Sequence, residues 1–174
     1  MIKTGTLYIV STPIGNLEDI TLRALKVLGD VRIIAAEDTR HTQKLLHHYD
    51  IHTPRTSYHD HNKEEKSGIL IAKLKEGNDI ALVSDAGTPG ISDPGYYLIN
   101  RAIDENIKIT PIPGPTASIA ALSISGLPTD AFVFEGFLPA KKVARQKMLK
   151  ELASERRTII MFETPRRVSS SLED

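Results

Sequence analysis

Two kinds of residue cluster in this 174-residue chain could carry chemistry. The first is a set of three loops dense in glycine, proline and hydroxyl side chains: Ser11-Thr12-Pro13-Ile14-Gly15-Asn16, Asp85-Ala86-Gly87-Thr88-Pro89-Gly90-Ile91-Ser92-Asp93-Pro94-Gly95, and Pro113-Gly114-Pro115-Thr116-Ala117-Ser118. Glycine lets a backbone come close to a ligand and proline stiffens a loop against collapse. Any one of these could be a tight turn needed only for packing, but three together, one of them unusually long, point to a site. The second cluster is Glu37-Asp38-Thr39-Arg40. A carboxylate there could act as a general base, and Arg40 could hold a phosphate through its fork of donors. Asp38 and Thr39 equally suit a helix N-cap, where an acid favours the dipole.

Other chemistries are excluded or weak. There is no cysteine, hence no disulfide framework, thiolate metal site or cysteine nucleophile. Neither the dinucleotide pattern G-x-G-x-x-G nor the phosphate-loop pattern G-x-x-x-x-G-K occurs. All six histidines, His41, His47, His48, His52, His59 and His61, lie within one stretch, yet their spacing is not that of a metal site, and no metal is expected. The string His59-Asp60-His61-Asn62 instead reads as a polar lining for a bound substrate, or as a loop capping the next helix through Asn62.

The elements that must position these loops alternate along the chain. Leu7–Val10, Arg32–Ala36, Ile80–Ser84 and Ile107–Ile112 are β-branched runs of near-continuous apolar character, as in strands covered on both faces. Helical spacing appears from Ile20 to Leu28 with Gly29 as C-cap, from Ile69 to a stop at Glu76-Gly77, and from Tyr96 to Glu105. Such alternation predicts an α/β fold, a parallel sheet with helices on both faces. In sheets of that kind ligands sit at the carboxyl ends of the strands, where all three loops fall. No linker or repeat is visible. A seam is expected near Ser125–Asp130, giving an N-terminal α/β domain over 1–125 and the beginning of a second α/β domain over 126–174. The second holds strands at 131–134 and 158–162 and a basic helix from Lys141 to about Ala153.

The string Leu82-Val83-Ser84-Asp85-Ala86-Gly87-Thr88-Pro89-Gly90-Ile91-Ser92-Asp93-Pro94-Gly95 resembles a signature of the tetrapyrrole-methylase superfamily, and more narrowly its ribosomal RNA small subunit methyltransferase I branch. Thr12–Thr21, Ala36–Arg40, Ser57–Asn62, Pro111–Ala117 and Phe134–Pro139 resemble the same branch in the same order. The resemblance implies two α/β domains, a homodimer, and S-adenosyl-L-methionine as cofactor. It also implies 2′-O-methylation of a cytidine ribose in small-subunit (16S) ribosomal RNA, free or in the assembled subunit. Cofactor contacts carried over with it are Pro13, Asp85, Gly87, Thr88, Ile91, Thr116, Ala117 and Phe162. At Phe162 and Arg166 the family more often carries tyrosine and histidine. Family chains also continue well past residue 174, so the chain is expected to hold one domain and the start of another. Glu37, Asp38 and Arg40 stand as the catalytic candidates, with no single base assigned. A tetrapyrrole or other small-molecule methylase of the same superfamily, or a non-catalytic nucleotide-binding module, are the alternatives.

Charge is distributed to match an RNA substrate. The 22 basic and 22 acidic residues cancel over the whole chain, but residues 1–140 hold 13 basic and 17 acidic side chains and residues 141–174 hold 9 and 5. Lys141, Lys142 and Arg145, with Lys147 and Lys150, are expected on an exposed face able to meet phosphates, with Val143, Met148, Leu149 and Leu152 buried behind them. No apolar run is long enough to span a bilayer, and Met1–Gly5 lacks the apolar core of a signal peptide; a cytoplasmic protein without membrane contact is expected.

Overall fold

A computed structural model describes residues 4–174; Met1 to Lys3, part of the segment read for a signal peptide, lie outside the described residues. The chain divides into two compact units, Met1–Thr116 and Ala117–Asp174. The division comes earlier than the seam expected near Ser125, because the small-residue helix after Thr116 packs on a strand of the second unit.

Among the described residues, the first unit holds one five-stranded, wholly parallel sheet in the order β3-β2-β4-β1-β5. Its strands are β1 (Thr6–Val10), β2 (Ile33–Ala36), β3 (Arg55–Ser57), β4 (Ile80–Val83) and β5 (Lys108–Ile112). The helices between them are α1 (Leu22–Asp30), α2 (Thr39–His48), α3 (Lys63–Lys75) and α4 (Gly95–Asp104). Going from β1 to β2 to β3 the chain steps one way along the sheet, and from β3 to β4 to β5 it steps back. Right-handed crossovers then put α1 and α2 on one face and α3 and α4 on the other. The core has this division. Leu7, Ile9, Ile80 and Leu82 pack with Leu70 and Leu74 of α3 and Leu98 of α4. Their strand neighbours Val10, Ala81 and Val83 pack with Leu28 of α1 and Leu45 and Leu46 of α2. Alternate residues of a strand point to opposite faces, so both sets must be apolar, which is why these strands read as unbroken apolar runs.

Local signals account for most boundaries. Thr21 caps α1, its hydroxyl accepting from the Ala24 N–H at 3.1 Å. Gly29, expected as the C-cap, lies inside α1, and Val31 takes the cap position instead. Gly77 does end α3, with φ +93° and its N–H on the Leu74 carbonyl at 3.0 Å. That helix starts six residues ahead of its first apolar marker, with Glu64 and Glu65 in the first turn, where acids favour the dipole.

The second unit comprises α5 (Ala117–Ile124), β6 (Phe132–Phe137), α6 (Lys142–Leu152), β7 (Thr158–Phe162) and α7 (Val168–Leu172). β6 and β7 pair in parallel, with an irregularity between Phe134 and Gly136 where Gly136 takes φ +66°. Phe162 meets Phe134 and Phe137 edge-on, with ring centroids 5.0 and 5.5 Å away. On α6 the expected partition fails at two positions. Val143 is 81% exposed, whereas Arg145 is 5% exposed. The Arg145 guanidinium donates from Nε to Asp174 at 2.8 Å and from Nη1 to the carbonyls of Pro139 and Ala140. A guanidinium with three acceptors at hand is satisfied inside the unit, so Arg145 does not belong to the exposed basic face; Lys141 and Lys142 are exposed as expected.

Candidate active site

The strand order puts β4 between β2 and β1. The segments leaving β1 and β2 run to one face of the sheet, and the segment leaving β4 runs to the other. Their carboxyl ends therefore diverge on both sides of β4, which creates two adjacent crevices where the direction of winding reverses.

In the β1/β4 crevice the two loops are joined. Thr12 and Gly87 exchange backbone hydrogen bonds, N–H to carbonyl at 2.9 Å and 3.0 Å, forming an isolated antiparallel bridge. The Ser11 and Thr88 hydroxyls lie 2.8 Å apart, and the Thr12 hydroxyl donates to the Ser84 carbonyl at 3.2 Å. The loop after β5 comes equally close: a Cβ on Gly114 would lie 2.9 Å from the Ser11 Cβ, so only glycine admits this approach. Gly87 has φ +79°, and a Cβ there would touch Ile14 and the Pro115 carbonyl. Pro13, Asp85, Gly87 and Thr88 are thus brought together, and Thr116 ends the unit directly after Pro115. Ile91 sits on the same long loop and is 47% exposed. Ala117 and Phe162 belong to the second unit.

Asp93 organises that long loop. Its carboxylate accepts from the Gly90 N–H at 2.9 Å and the Gly95 N–H at 2.8 Å. Gly90 needs φ +89° and Ser92 sits at φ +62°. A carboxylate following a positive-φ residue and closing back on it is a turn device whose signal, Ser92-Asp93-Pro94-Gly95, is present in the sequence.

The β2/β4 crevice holds the acidic cluster. Asp85 accepts from the Asp38 N–H at 3.0 Å, and the Asp85 N–H points to Glu37 Oε2 at a long 3.5 Å. Glu37 is half-buried, and its carboxyl is raised above the usual 4.5, first by burial and then by the nearby charge of Asp85, with smaller contributions from Asp93 and Asp60. Asp38 has a different job. It is the N-cap of α2, accepting from the Arg40 N–H at 2.8 Å, and it also takes the Arg40 guanidinium in a two-point pair at 3.1 and 2.8 Å. Those donors hold its carboxyl far below the usual range. A carboxylate so fully occupied is a poor proton acceptor, so of the two adjacent carboxylates Glu37 is the more basic. Arg40 remains exposed despite the pair.

Tyr58, at the end of β3, closes the floor of this crevice. It is 1% exposed, its hydroxyl donates to the Pro94 carbonyl at 3.3 Å and lies 3.1 Å from the Ser67 hydroxyl, and burial raises it above 10.0. His59 follows, with Nε2 3.3 Å from the Asn62 amide and a buried Nδ1 that lacks a partner among the described residues. Asn62 does not cap α3 with its side chain; it turns back, accepting from the His59 N–H at 2.9 Å and donating to Ser57. Among the described residues no three metal-ligating side chains converge, and no helix is long and apolar enough to cross a membrane.

A profile of the tetrapyrrole (corrin/porphyrin) methylases matches residues 6–174. The chain is 59% identical to a ribosomal RNA small subunit methyltransferase I from Synechocystis over 98% of its length, which is 61% of that relative. It is 58% identical to the protein of that name from Vibrio cholerae, over 97% of this chain and 58% of that one. The chain therefore spans about three fifths of the relatives it matches. Among solved structures, diphthine synthase superposes with a TM-score of 0.65 at 16% identity, over 92% of this chain and 66% of that one. The uroporphyrin-III-C-methyltransferase from Thermus thermophilus gives 0.57 at 24%, over 76% and 60%. At such identities these two speak for the fold alone. Profile, relatives and sheet topology agree: the chain belongs to the tetrapyrrole (corrin/porphyrin) methylase family.

Proposed function

We propose that this chain forms the acceptor and cofactor side of an S-adenosylmethionine-dependent methyltransferase that acts on a ribose 2′-hydroxyl of a cytidine in small-subunit ribosomal RNA. The observation that carries the reading is the placement of Glu37, basic and half-buried, one hydrogen bond from the loop that bears Asp85, Gly87 and Thr88. Relatives more than half identical carry the name ribosomal RNA small subunit methyltransferase I, which favours RNA over a tetrapyrrole as acceptor.

The residues of the β1/β4 crevice suit the cofactor. A cradle of backbone groups at a positive-φ glycine, two neutral hydroxyls and one carboxylate offers acceptors to a cationic, zwitterionic ligand without a strong fixed positive charge to repel it. Pro13, Asp85, Gly87, Thr88, Ile91 and Thr116 would hold it. Bound there, S-adenosylmethionine supplies an electrophilic methyl group. The chain's own part is alignment and proton handling. Well-oriented intramolecular reactions gain about 7–11 kcal/mol from alignment, and the Thr12–Gly87 bridge fixes the loops that provide it. Glu37 takes up the proton that the acceptor hydroxyl releases, and its raised affinity for protons makes it a stronger base than an ordinary carboxylate. Arg40, held on Asp38, is oriented to meet a phosphate of the same strand. The assembled small subunit as substrate, a homodimeric enzyme and a cytoplasmic location complete the proposal.

Radiolabelled methyl transfer by the full chain to undermethylated small subunits, followed by mapping of the modified nucleotide, tests it. Label on a cytidine ribose is expected. Label on a base, or on no RNA, would overturn the reading.

A further inference from the structure

We infer that the exposed side of α2, with the cavity at its foot, receives an unpaired nucleotide of the acceptor RNA, the base entering the cavity and the phosphates following the helix. This deepens the reading above and rests on it.

The first observation is charge. Helix α2 carries Arg40, paired with the N-cap Asp38, then His41, Lys44, His47 and His48, and holds no acidic residue from Thr39 to His48. Thr42, Leu45 and Leu46 face the core, so the cationic and imidazole side chains fall together on the exposed side. Lys44 makes no ion pair and no hydrogen bond among the described residues, which leaves its charge available to a partner. In the second unit part of the basic surface is taken up: Lys142 and Arg145 pair with Asp174 and Lys147 lies 3.9 Å from Glu151, while Lys141 and Lys150 make no ion pair among the described residues.

The second observation is shape. Between α2 and the loop after β1 lies a cavity of about 380 Å³, in the range of small-ligand pockets. Pro13, Ile14, Leu17 and Leu45 give it apolar walls, His41 and Lys44 border it from the exposed helix surface, and Ser84, Asp85 and Ala86 reach it from the loop after β4. The wall is anchored: the Tyr49 hydroxyl, at the end of α2, donates to the Leu17 carbonyl at 2.7 Å. A mainly apolar slot with Lys44 and His41 on the helix side and the Asp85 carboxylate on the loop side suits an unstacked nucleotide: the base has apolar faces and an amino edge that a carboxylate can accept from, and its backbone is anionic. The larger hollow at the opposite edge of the sheet, about 680 Å³, does not match. Asp30, Asp50 and Asp79 line it against the single Arg32 and His52, an acidic balance that disfavours a phosphate chain.

The test uses the full chain, a fluorescein-labelled single-stranded oligoribonucleotide read by anisotropy at several salt concentrations, and methyl transfer to undermethylated small subunits. Lys44→Glu is expected to weaken oligonucleotide binding roughly tenfold and to flatten the log K against log salt slope by about 0.7, the share of one phosphate contact on a single strand. Leu17→Ala, which removes wall but no charge, is expected to weaken binding several-fold with the salt slope unchanged. Both should keep the S-adenosylmethionine affinity of the wild type, measured by calorimetry. Wild-type oligonucleotide binding by Lys44→Glu would overturn the inference. So would a defect confined to assembled subunits, which would assign the helix to a ribosomal protein. Loss of cofactor affinity in Leu17→Ala would also overturn it, by giving the cavity to the cofactor. A wild-type chain that methylates no RNA fails the function itself. Methylation by the wild type together with an unchanged KM for subunits in Lys44→Glu fails this inference alone.

Discussion

At the scale of single residues, two adjacent carboxylates differ because their neighbours differ. Asp38 faces three donors from Arg40 and stays ionised, whereas Glu37 faces the charge of Asp85 and a dry wall and keeps its proton longer. The folded state therefore binds the Glu37 proton more tightly than the unfolded chain does. Stability must fall as pH rises from about 4.5 through the raised value. Glu37→Gln removes that penalty. The variant is expected to melt higher than wild type at neutral pH and equally below pH 4.5, which thermal denaturation across pH reads directly. Its methyl-transfer rate should drop by ~10²–10⁴, the usual contribution of a positioned base. In the wild type the acid limb of the rate profile should lie above the ordinary carboxylate range. Much of this was legible in Ala36-Glu37-Asp38-Thr39-Arg40, where the cap and the base stood as alternatives for the same residues. Which carboxylate did which could not be read, because Asp85, whose charge helps raise Glu37, is 48 residues away.

At the scale of elements, the long loop after β4 holds its shape through one side chain. Asp93→Ala leaves the Gly90 and Gly95 N–H groups without their acceptor, in a segment that also carries two positive-φ residues, Gly90 and Ser92. A loss of about 1–2 kcal/mol is expected, as for removal of a capping carboxylate, measurable by urea denaturation. Cofactor affinity should fall with it, since Gly87, Thr88 and Ile91 share the loop. Element reading from sequence succeeded where burial shaped composition. β4, Ile80 to Val83, is buried at every position and reads as an apolar run. It failed at β3, three residues of Arg55-Thr56-Ser57 whose strand character comes wholly from pairing with β2. It also passed over the length of α2, whose mean character is polar and whose apolar residues are few.

At the scale of the molecule, the two units differ in how they are held. The first has core on both faces of its sheet. The second relies on an aromatic cluster about Phe162 and on Arg145, whose guanidinium ties α6 to Asp174 and to the carbonyls before the helix. Arg145→Leu is expected to lower the unfolding midpoint of the second unit and to leave the first unchanged. Hydrogen exchange resolved by residue would separate the two; uniform loss across both would contradict it. The basic character of residues 141–174 was visible in composition, yet its inward-facing member was not, since a lysine or arginine on a helix says nothing of a carboxylate 29 positions on.

The reciprocal hydrogen bonds between Thr12 and Gly87 have a dynamic consequence. They work as a stitch between two hems of the sheet, so the segment after β1 and the segment after β4 cannot fray one at a time. Whatever pries one loose must release both, and the Thr12 and Gly87 amides should therefore exchange with solvent at matched, slow rates. A donor nucleoside and an acceptor strand that touched different loops would then each feel the other's arrival through a seam only two bonds wide.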